Sequence, residues 1–324
     1  MSCFLRGQAL IPLFLLIVLI KSIRAVSTRI RCACIRRTRL FSTLQTIHGK
    51  PNPGHVNTNQ APHDFEPNSA LVYPNFIDNE EASALENDIF ERMKRKRFEK
   101  GHWDAVITGY KEIEIDIDSR IALADSRNAV SDLSYAAIQR VRDHINSTHF
   151  HSIGDQGDGA RSSVEWMNCH AIHLKKDGEL TAHVDSVKFS GGIVAGLSLL
   201  SPSIMRLRPA APSELSNENI DAEDLISSKV TSGNDDGAEG KALMNNGHVD
   251  LYLPPLSLYI LCGVSRYRYT HELLPSGSKF IFQHCIDVTD EDDEERHNVL
   301  KSVIDVERED RLSVIFRDAP ATPM

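Results

Sequence analysis

The stretch from Leu180 to Lys188 reads Leu-Thr-Ala-His-Val-Asp-Ser-Val-Lys, and it approaches a strongly apolar run at residues 193–200. It places His183 and Asp185 two residues apart. In an extended strand, residues i and i+2 project from the same face, so these two side chains could grip one metal ion together. A His-x-Asp pair alone is weak evidence, because about one is expected by chance in a chain of this composition. The interpretation therefore depends on what accompanies the pair.

A second histidine, His271, follows a strand-like segment 86 residues beyond Asp185. Two imidazoles and one carboxylate on one side of a cation leave its other positions open, which is the arrangement of non-haem Fe(II) oxygenases. The sequence thus predicts a metal site of His183, Asp185 and His271, with no catalytic residue beyond these ligands. A zinc hydrolase with the same ligands is one alternative, and a non-catalytic metal-binding regulatory protein is another.

The pattern of apolar residues predicts an α+β fold that is mainly β. Asp78 and Ser131 each precede an amphipathic helical pattern, and the first of these helices has acidic residues early and basic residues late. From residue 164 onward strand patterns dominate, and the run at residues 193–200 suits a strand buried on both faces. Two N-terminal helices followed by five or more antiparallel strands predict a double-stranded β-helix, or jelly roll, with the helices packed on it.

The composition divides the chain into a basic targeting leader at residues 1–48, a Pro-rich linker at residues 49–68 and one domain at residues 69–324. Within the domain, residues 209–250 are acidic and interrupted by Pro, Ser, Asn and Gly, so they are predicted to be a disordered insertion. Residues 287–297 form a second, charged insertion.

The leader carries a targeting signal. Its apolar run at residues 9–20 is shorter than the roughly 20 residues that a membrane span needs. Residues 27–47 are rich in Arg and in hydroxyl side chains and contain no acid, as in mitochondrial transit peptides. We therefore expect a mitochondrial matrix protein with no stable membrane span. A secretory signal, or signal anchor, followed by a basic linker is the alternative.

The rest of the chain is acidic. No Asp or Glu precedes Asp64, whereas nine of the 36 Lys and Arg do, leaving 27 basic against 45 acidic residues beyond it. This balance repels polyanions and makes nucleic acid a less favoured partner than a protein or a small molecule. Three widely spaced cysteines, Cys169, Cys262 and Cys285, do not make a disulfide framework and indicate a reducing compartment. We expect a monomer.

The last strand pattern carries Arg311 and Arg317 at an even spacing, so both point to one face. Arginine can hold a carboxylate with two hydrogen bonds in a partly buried pocket. Six residues of strand span about 20 Å, which exceeds the length of a five-carbon diacid. Both arginines could reach one such ligand only if the strand bends or the side chains lean together. Surface ion pairing is the alternative for them.

The block from His183 to Leu207 resembles the AlkB-like Fe(II)/2-oxoglutarate-dependent dioxygenases, and among them the mitochondrial AlkB-homologue subgroup most of all. The similarity covers roughly residues 69–320. The motifs that carry it are Ser186-Val187-Lys188-Phe189, Ala195-Gly196-Leu197-Ser198-Leu199-Leu200-Ser201-Pro202, Met205-Arg206-Leu207, Ser257-Leu258-Tyr259-Ile260-Leu261 and Arg311-Leu312-Ser313-Val314-Ile315-Phe316-Arg317.

The resemblance implies a jelly roll that uses Fe(II), 2-oxoglutarate and O2. It implies that the three predicted metal donors are the iron ligands. It also implies a set of residues that bind 2-oxoglutarate, namely Tyr259, Arg311 and Arg317.

The resemblance also bears on the substrate. Nucleic-acid demethylases of this family grip a flipped base with a lid, and the mitochondrial subgroup is thought to lack that lid. The subgroup is tied to protein or metabolite oxidation, fatty-acid metabolism and alkylation-induced programmed necrosis. We therefore expect hydroxylation of a mitochondrial protein or small molecule. Oxidative demethylation of mitochondrial RNA is the alternative.

Overall fold

The computed structural model describes residues 50–101, 106–116, 130–153, 164–215, 247–286 and 298–320. The predicted leader and the charged insertion at residues 287–297 lie outside the described residues, as do residues 216–246 of the acidic insertion. In the part of the chain that is described, no helix has the length and apolar character needed to cross a membrane.

Four α-helices and twelve strands occur in the described residues. The helices are α1 (Asn79–Met93), α2 (Asp132–Ile153), α3 (Pro212–Leu215) and α4 (Gly263–Tyr267). The strands are β1 (Val56–Gln60), β2 (Ala70–Tyr73), β3 (Ile107–Ile115), β4 (Cys169–Leu180), β5 (Val194–Leu199), β6 (Ser203–Pro209), β7 (His248–Leu253), β8 (Ser257–Leu261), β9 (Tyr269–Leu273), β10 (Ser278–Ile286), β11 (Asn298–Val306) and β12 (Arg311–Arg317).

The strands form a six-stranded sheet of order β2-β8-β5-β12-β4-β3 and a four-stranded sheet of order β1-β7-β6-β9, with β10 and β11 as a separate pair. Every strand pairing is antiparallel. These sheets confirm the predicted fold, a mainly β double-stranded β-helix. β5, β8 and β12 have the predicted positions, and β5 is buried along its whole length.

The six-stranded sheet separates two hydrophobic cores, because side chains alternate along each strand. On β12, Leu312, Val314 and Phe316 join the core that contains the apolar faces of α1 and α2. Ile315 points the other way, into the core shared with the four-stranded sheet. The odd-numbered residues of β12, Arg311 included, therefore face the space between the two sheets.

Both predicted helices are present and begin where their capping residues indicate. The Asp78 carboxylate accepts a hydrogen bond from the Glu81 amide (2.8 Å), and the Glu81 carboxylate accepts one from the Asp78 amide (3.1 Å). The Ser131 hydroxyl oxygen accepts a hydrogen bond from the Ser134 amide at the start of α2 (3.3 Å). Because α1 ends at Met93, the basic cluster at residues 94–97 follows the helix rather than forming its last turn.

Two differences from the sequence-based expectation concern the strands. Three strands, β1 to β3, precede or separate the helices, so the two helices are not the first elements. In addition, β7 begins at His248, inside the range predicted for the acidic insertion. Its alternation is concealed by Asp250, a buried acid that accepts hydrogen bonds from Arg206 at 2.7 and 2.8 Å.

The contact between α1 and α2 includes a buried ion pair, which generates a prediction about stability. Arg140 donates hydrogen bonds to both carboxylate oxygens of Glu81, and each side chain is 5% exposed. Arg140→Ala would leave a buried charge without its partner, at a cost of about 3–5 kcal/mol in the free energy of unfolding. Urea denaturation followed by circular dichroism measures this cost.

The matched control is Lys94→Ala, which removes an exposed ion pair with Glu91. It should change the free energy of unfolding by about 0.5 kcal/mol or less. Equal losses in the two variants would contradict the assignment of Arg140 to a stabilising buried pair.

Candidate metal centre

The structure brings together the three side chains that the sequence nominates as metal donors. His183, Asp185 and His271 each offer one ligand atom, and these atoms lie within 4.8 Å of one another. The imidazole centroids of His183 and His271 are 4.2 Å apart, and His183 Nε2 is 3.9 Å from Asp185 Oδ1. Two nitrogens and one carboxylate oxygen thus converge on a volume suited to one cation.

A backbone contact, rather than a strand, aligns the donors. His183 and Asp185 lie in the connection between β4 and β5, so the expectation of an extended strand at this pair is wrong. The chain turns because the Ser186 carbonyl accepts hydrogen bonds from the amides of Phe189 (3.3 Å) and Ser190 (3.1 Å). An isolated bridge replaces the strand: His183 and His271 exchange two backbone hydrogen bonds, of 3.3 and 2.8 Å.

The hydrogen bonding of His183 and the pKa of His271 suit metal binding. Nδ1 of His183 donates a hydrogen bond to the Thr181 carbonyl (2.8 Å), which leaves the Nε2 lone pair for a metal. Burial, together with the neighbouring His183, lowers the pKa of His271 to about 3. His271 is therefore neutral at physiological pH and can donate its lone pair.

Asp185 is ionised although its side chain is only 13% exposed. Burial raises its pKa, but Arg317, His271, His183 and Arg266 together hold the pKa well below its usual range. Its Oδ2 atom is buried, and no hydrogen bond to it occurs within the described residues. A buried carboxylate oxygen without a partner is costly unless something binds it. The donor set and this oxygen therefore fit a bound divalent cation.

Arg266 holds the loop that carries Asp185, a role that the sequence analysis missed. Its buried guanidinium donates to the backbone carbonyls of Asp185 (2.8 Å), Ser186 (3.4 Å), Ser190 (3.2 Å) and Gly191 (3.0 Å) and to the Ser190 hydroxyl (2.7 Å). Arg266 lies on α4, just before β9 and His271. It thus connects the segment that carries Asp185 to the segment that carries His271. In the sequence, the one signal for this role is that Arg266 lies five residues before His271.

Arg311 and Tyr259, which the resemblance assigns to 2-oxoglutarate, lie together between the sheets. Arg311 is buried, forms a hydrogen bond with Tyr259, and donates hydrogen bonds to the hydroxyls of Ser198 and Ser203, each at 3.2 Å. Gly196 is the cross-strand partner of Tyr259, and a Cβ atom at Gly196 would lie 2.5 Å from the Tyr259 ring. The absence of that atom leaves room for the Tyr259 ring beside β5.

Arg317 lies at the other end of β12 and contacts a metal donor. It donates a hydrogen bond to Asp185 Oδ1 (3.3 Å). Burial lowers the pKa of Arg317, but Asp185 and, more weakly, Glu112 raise it above its ordinary value. The two arginines thus have different partners. The distance of about 20 Å between them along the strand is therefore no obstacle, because they need not both bind one five-carbon diacid.

A cavity of about 570 Å³ opens beside the donors. The metal-donor side chains His183 and Asp185 line it, and aliphatic residues that include Ile107, Ile172 and Leu180 form much of its wall. Phe189, also in the lining, is 64% exposed. A pocket that combines apolar and polar side chains beside a metal site is a candidate small-molecule or side-chain binding site.

Comparison with known proteins identifies relatives by sequence, although no family model matches the chain. A mouse protein named alpha-ketoglutarate-dependent dioxygenase alkB homolog 7, mitochondrial, is 31% identical over 217 residues, which cover 67% of this chain and 72% of that protein. A bovine protein of the same name is 31% identical over 219 residues, which cover 67% and 73%.

Three solved structures are similar to this one. The structure of OsALKBH1 has a TM-score of 0.40 and 11% identity, covering 77% of this chain and 96% of that chain. A Pseudomonas putida prolyl-4-hydroxylase has a TM-score of 0.41 and 13% identity, covering 78% and 92%. A Trichoplax adhaerens prolyl hydroxylase, solved with a hypoxia inducible factor peptide, has a TM-score of 0.42 and 11% identity, covering 78% and 84%.

The identity and coverage of the mouse and bovine relatives establish the family. The convergence of His183, Asp185 and His271 is what an iron-dependent oxygenase of that family requires. The chain belongs to the alkB homolog 7 family of Fe(II)- and 2-oxoglutarate-dependent dioxygenases.

Proposed function

We propose that this dioxygenase hydroxylates a C–H bond of a mitochondrial protein or small molecule, rather than demethylating a nucleobase. The observation that carries the proposal is the chemistry of the cavity beside the metal donors. Among its described lining residues, Arg317 is the one Lys or Arg, and it is paired with Asp185. A nucleic-acid site needs cationic contacts to phosphate. A wall that combines aliphatic side chains with polar ones, among them the carboxylate of Glu112, instead suits a side chain or a metabolite.

The three donor side chains would hold Fe(II). His183 and neutral His271 would each give a nitrogen lone pair, and Asp185 would give a negative charge that Arg317 keeps in position. Bound Fe(II) would supply redox chemistry that couples decarboxylation of 2-oxoglutarate, with O2, to hydroxylation of the substrate. The aliphatic wall of the cavity would exclude water from this reaction.

Arg311 would bind the distal carboxylate of 2-oxoglutarate. The Ser198 and Ser203 hydroxyls fix the orientation of its guanidinium, and Tyr259 lies beside it to add a hydrogen bond to the same ligand. A preoriented, buried guanidinium binds a carboxylate more strongly than an exposed one does, because little side-chain entropy is lost. Arg317 would serve the metal donor Asp185 and the near end of the cosubstrate.

The proposal also concerns the place where the protein works. Its mouse and bovine relatives are both named as mitochondrial proteins. The acid-free, Arg-rich segment at residues 27–47 supports the same compartment for this chain. The resemblance to the mitochondrial subgroup supports a link to fatty-acid metabolism and to alkylation-induced programmed necrosis.

Loss of a donor should abolish metal-dependent turnover. We expect His183→Ala and Asp185→Ala to lose the visible absorption band that forms when Fe(II) and 2-oxoglutarate are added anaerobically to the wild type. Both should also lose uncoupled succinate release in air. The control His248→Ala removes a partly buried histidine on β7 that does not line the cavity, and it should keep both signals. Succinate release that persists in both donor variants would reassign the ligands.

Changes at the Arg311 site should weaken 2-oxoglutarate binding selectively. Arg311→Met removes a charged hydrogen-bond donor worth about 1.5–3 kcal/mol, so we expect KM for 2-oxoglutarate to rise about ten- to a hundredfold. Gly196→Ala should raise the same KM by displacing the Tyr259 ring. Isothermal titration with Fe(II), in the absence of 2-oxoglutarate, should give an unchanged affinity. Reduced Fe(II) affinity with an unchanged KM would contradict this role.

Arg266→Lys should loosen the loop that carries Asp185. A lysine ammonium cannot reproduce the fork of hydrogen bonds to four carbonyls, so we expect about a ten- to a hundredfold loss of Fe(II) affinity. Hydrogen exchange of the amides at residues 185–191 should rise in the same variant. The control Arg268→Lys, at the end of α4, should leave both quantities unchanged. Unaltered exchange together with unaltered affinity would exclude the positioning role.

A further inference from the structure

A second buried charged residue, Asp318, contacts the loop that leads from the metal donors to β5. This loop, residues 185–193, is called the donor loop below. Asp318 directly follows β12 and is 1% exposed. Its carboxylate accepts hydrogen bonds from the backbone amides of Gly192 (3.0 Å) and Ile193 (2.8 Å), and its backbone carbonyl accepts one from the amide of Gly191 (2.8 Å). One residue thus binds three successive amides at the end of the donor loop.

The approach between Asp318 and the donor loop is close enough to require glycine at position 191. A Cβ atom at Gly191 would overlap the Asp318 carboxylate and would lie 2.7 Å from the carbonyl oxygen of Ala319. Both groups are held in place, because the carboxylate has its two amide partners and the Ala319 amide donates to the Glu165 carbonyl (2.8 Å). A side chain at position 191 would therefore push the donor loop away from the end of β12.

Asp318 and Arg266 bind complementary backbone groups of the donor loop. Arg266 donates hydrogen bonds to four of its carbonyls, and Asp318 accepts hydrogen bonds from its amides. Burial raises the pKa of Asp318, while the loop amides and the positive charge of Arg266 act against this rise. The donor loop is thus held by a buried cation and a buried anion that lie close enough to interact.

A compact turn connects the contacts of Asp318 to the metal donor. The Ser186 carbonyl accepts two backbone hydrogen bonds, which close residues 186–190 into one turn. Asp185 precedes this turn, and the amides that Asp318 binds follow it. Because the turn is short and closed, a displacement at its end reaches its start. β12 therefore acts on Asp185 in two ways: Arg317 binds its carboxylate, and Asp318 holds the far end of the turn.

We infer that Asp318 is a positioning residue for the metal centre, which sets the place of the Asp185 carboxylate by holding the end of the donor loop. This inference rests on the proposed role of Asp185 as an iron ligand. Loss of a residue that orients a metal ligand typically lowers metal affinity about 10- to 100-fold. If Asp318 served only to begin β5, its loss would lower stability and leave metal affinity unchanged.

Titration of matched variants with Fe(II) tests the inference. Asp318→Asn keeps the size of the side chain, but its amide group can accept a hydrogen bond from only one of the two loop amides. We expect Fe(II) to bind this variant about tenfold more weakly than the wild type, as measured by anaerobic calorimetry without 2-oxoglutarate. Gly191→Ala displaces the donor loop without removing a charge, so it should weaken binding by a similar factor.

The matched control is Asp88→Asn on α1. The Asp88 carboxylate also accepts two hydrogen bonds, from the Ser131 amide (2.7 Å) and the Ser134 hydroxyl (2.6 Å). It connects the two helices, whose core lies on the other face of the six-stranded sheet from the metal donors. This control should lower the free energy of unfolding, measured by urea denaturation, and leave Fe(II) affinity unchanged.

Hydrogen exchange in the metal-free protein gives a readout that is independent of activity. In Asp318→Asn the amides of Phe189 and Ser190, which close the turn, should exchange faster than in the wild type. In Asp88→Asn they should exchange at the wild-type rate. Faster exchange of these two amides in Asp318→Asn supports transmission through the turn, and an unchanged rate would overturn it.

A double variant shows whether the two buried charges act through one loop. If Arg266 and Asp318 both position Asp185, the losses of Fe(II) affinity in Arg266→Lys and Asp318→Asn should combine to less than their product, because neighbouring residues couple. A combined loss equal to the product would indicate independent effects and would overturn the inference.

The outcomes separate this inference from the proposed function. Wild-type Fe(II) affinity in Asp318→Asn, with affinity lost in Asp185→Ala, would overturn the inference alone. Wild-type affinity in Asp185→Ala would overturn the proposed ligand set as well. If Asp318→Asn does not fold, the same comparison made with Gly191→Ala decides between these outcomes.

Discussion

The candidate metal centre depends on one constraint: a largely buried carboxylate must stay ionised. Asp185 achieves this because Arg317 donates a hydrogen bond to its side chain and because the positive charge of Arg266, which also holds the Asp185 carbonyl, lies nearby. The two arginines come from different parts of the chain, β12 and α4, so the centre forms only when both have packed against the loop between β4 and β5. The jelly roll supplies this convergence, because its two facing sheets bring distant segments of the sequence to one end of the cavity.

The strands that surround this centre position different residues of the site. β12 faces the space between the sheets with alternate residues, so Arg311 and Arg317 reach different partners at its two ends. β5 and β8 hold Gly196 against Tyr259, which sets the phenol beside Arg311. A regular pleat thus spaces the residues proposed to bind the cosubstrate and to hold the metal donor.

Local pattern was sufficient to predict much of this arrangement from the sequence. Asp78 and Ser131 marked the helix starts, and the clean alternation at residues 311–317 marked β12 and its two inward arginines. These signals are short-range, so a single sequence exposes them. The His-x-Asp pair with a distant histidine nominated three metal donors, which the structure brings within 4.8 Å of one another, and the similarity to a known family then implied that they bind iron.

What the sequence concealed depends on contacts between distant segments. The bridge between His183 and His271 and the carbonyl contacts of Arg266 join residues about 80 positions apart, and neither has a periodic signature. The start of β7 was not predicted because Asp250 interrupts the apolar alternation. The sequence does not show that this acid is buried and paired with Arg206. The position of Glu112 in the cavity wall likewise required the register between β3 and β4.

The backbone bridge between His183 and His271 aligns two of the metal donors through the main chain. Both imidazoles are positioned by main-chain hydrogen bonds and by the sheets, so the cost of ordering them is met as the chain folds. Many metal sites are organised only by their ion, and their proteins unfold when it leaves. Here the main chain itself joins the two histidine segments, so the alignment of their imidazoles follows from hydrogen bonds that belong to the fold.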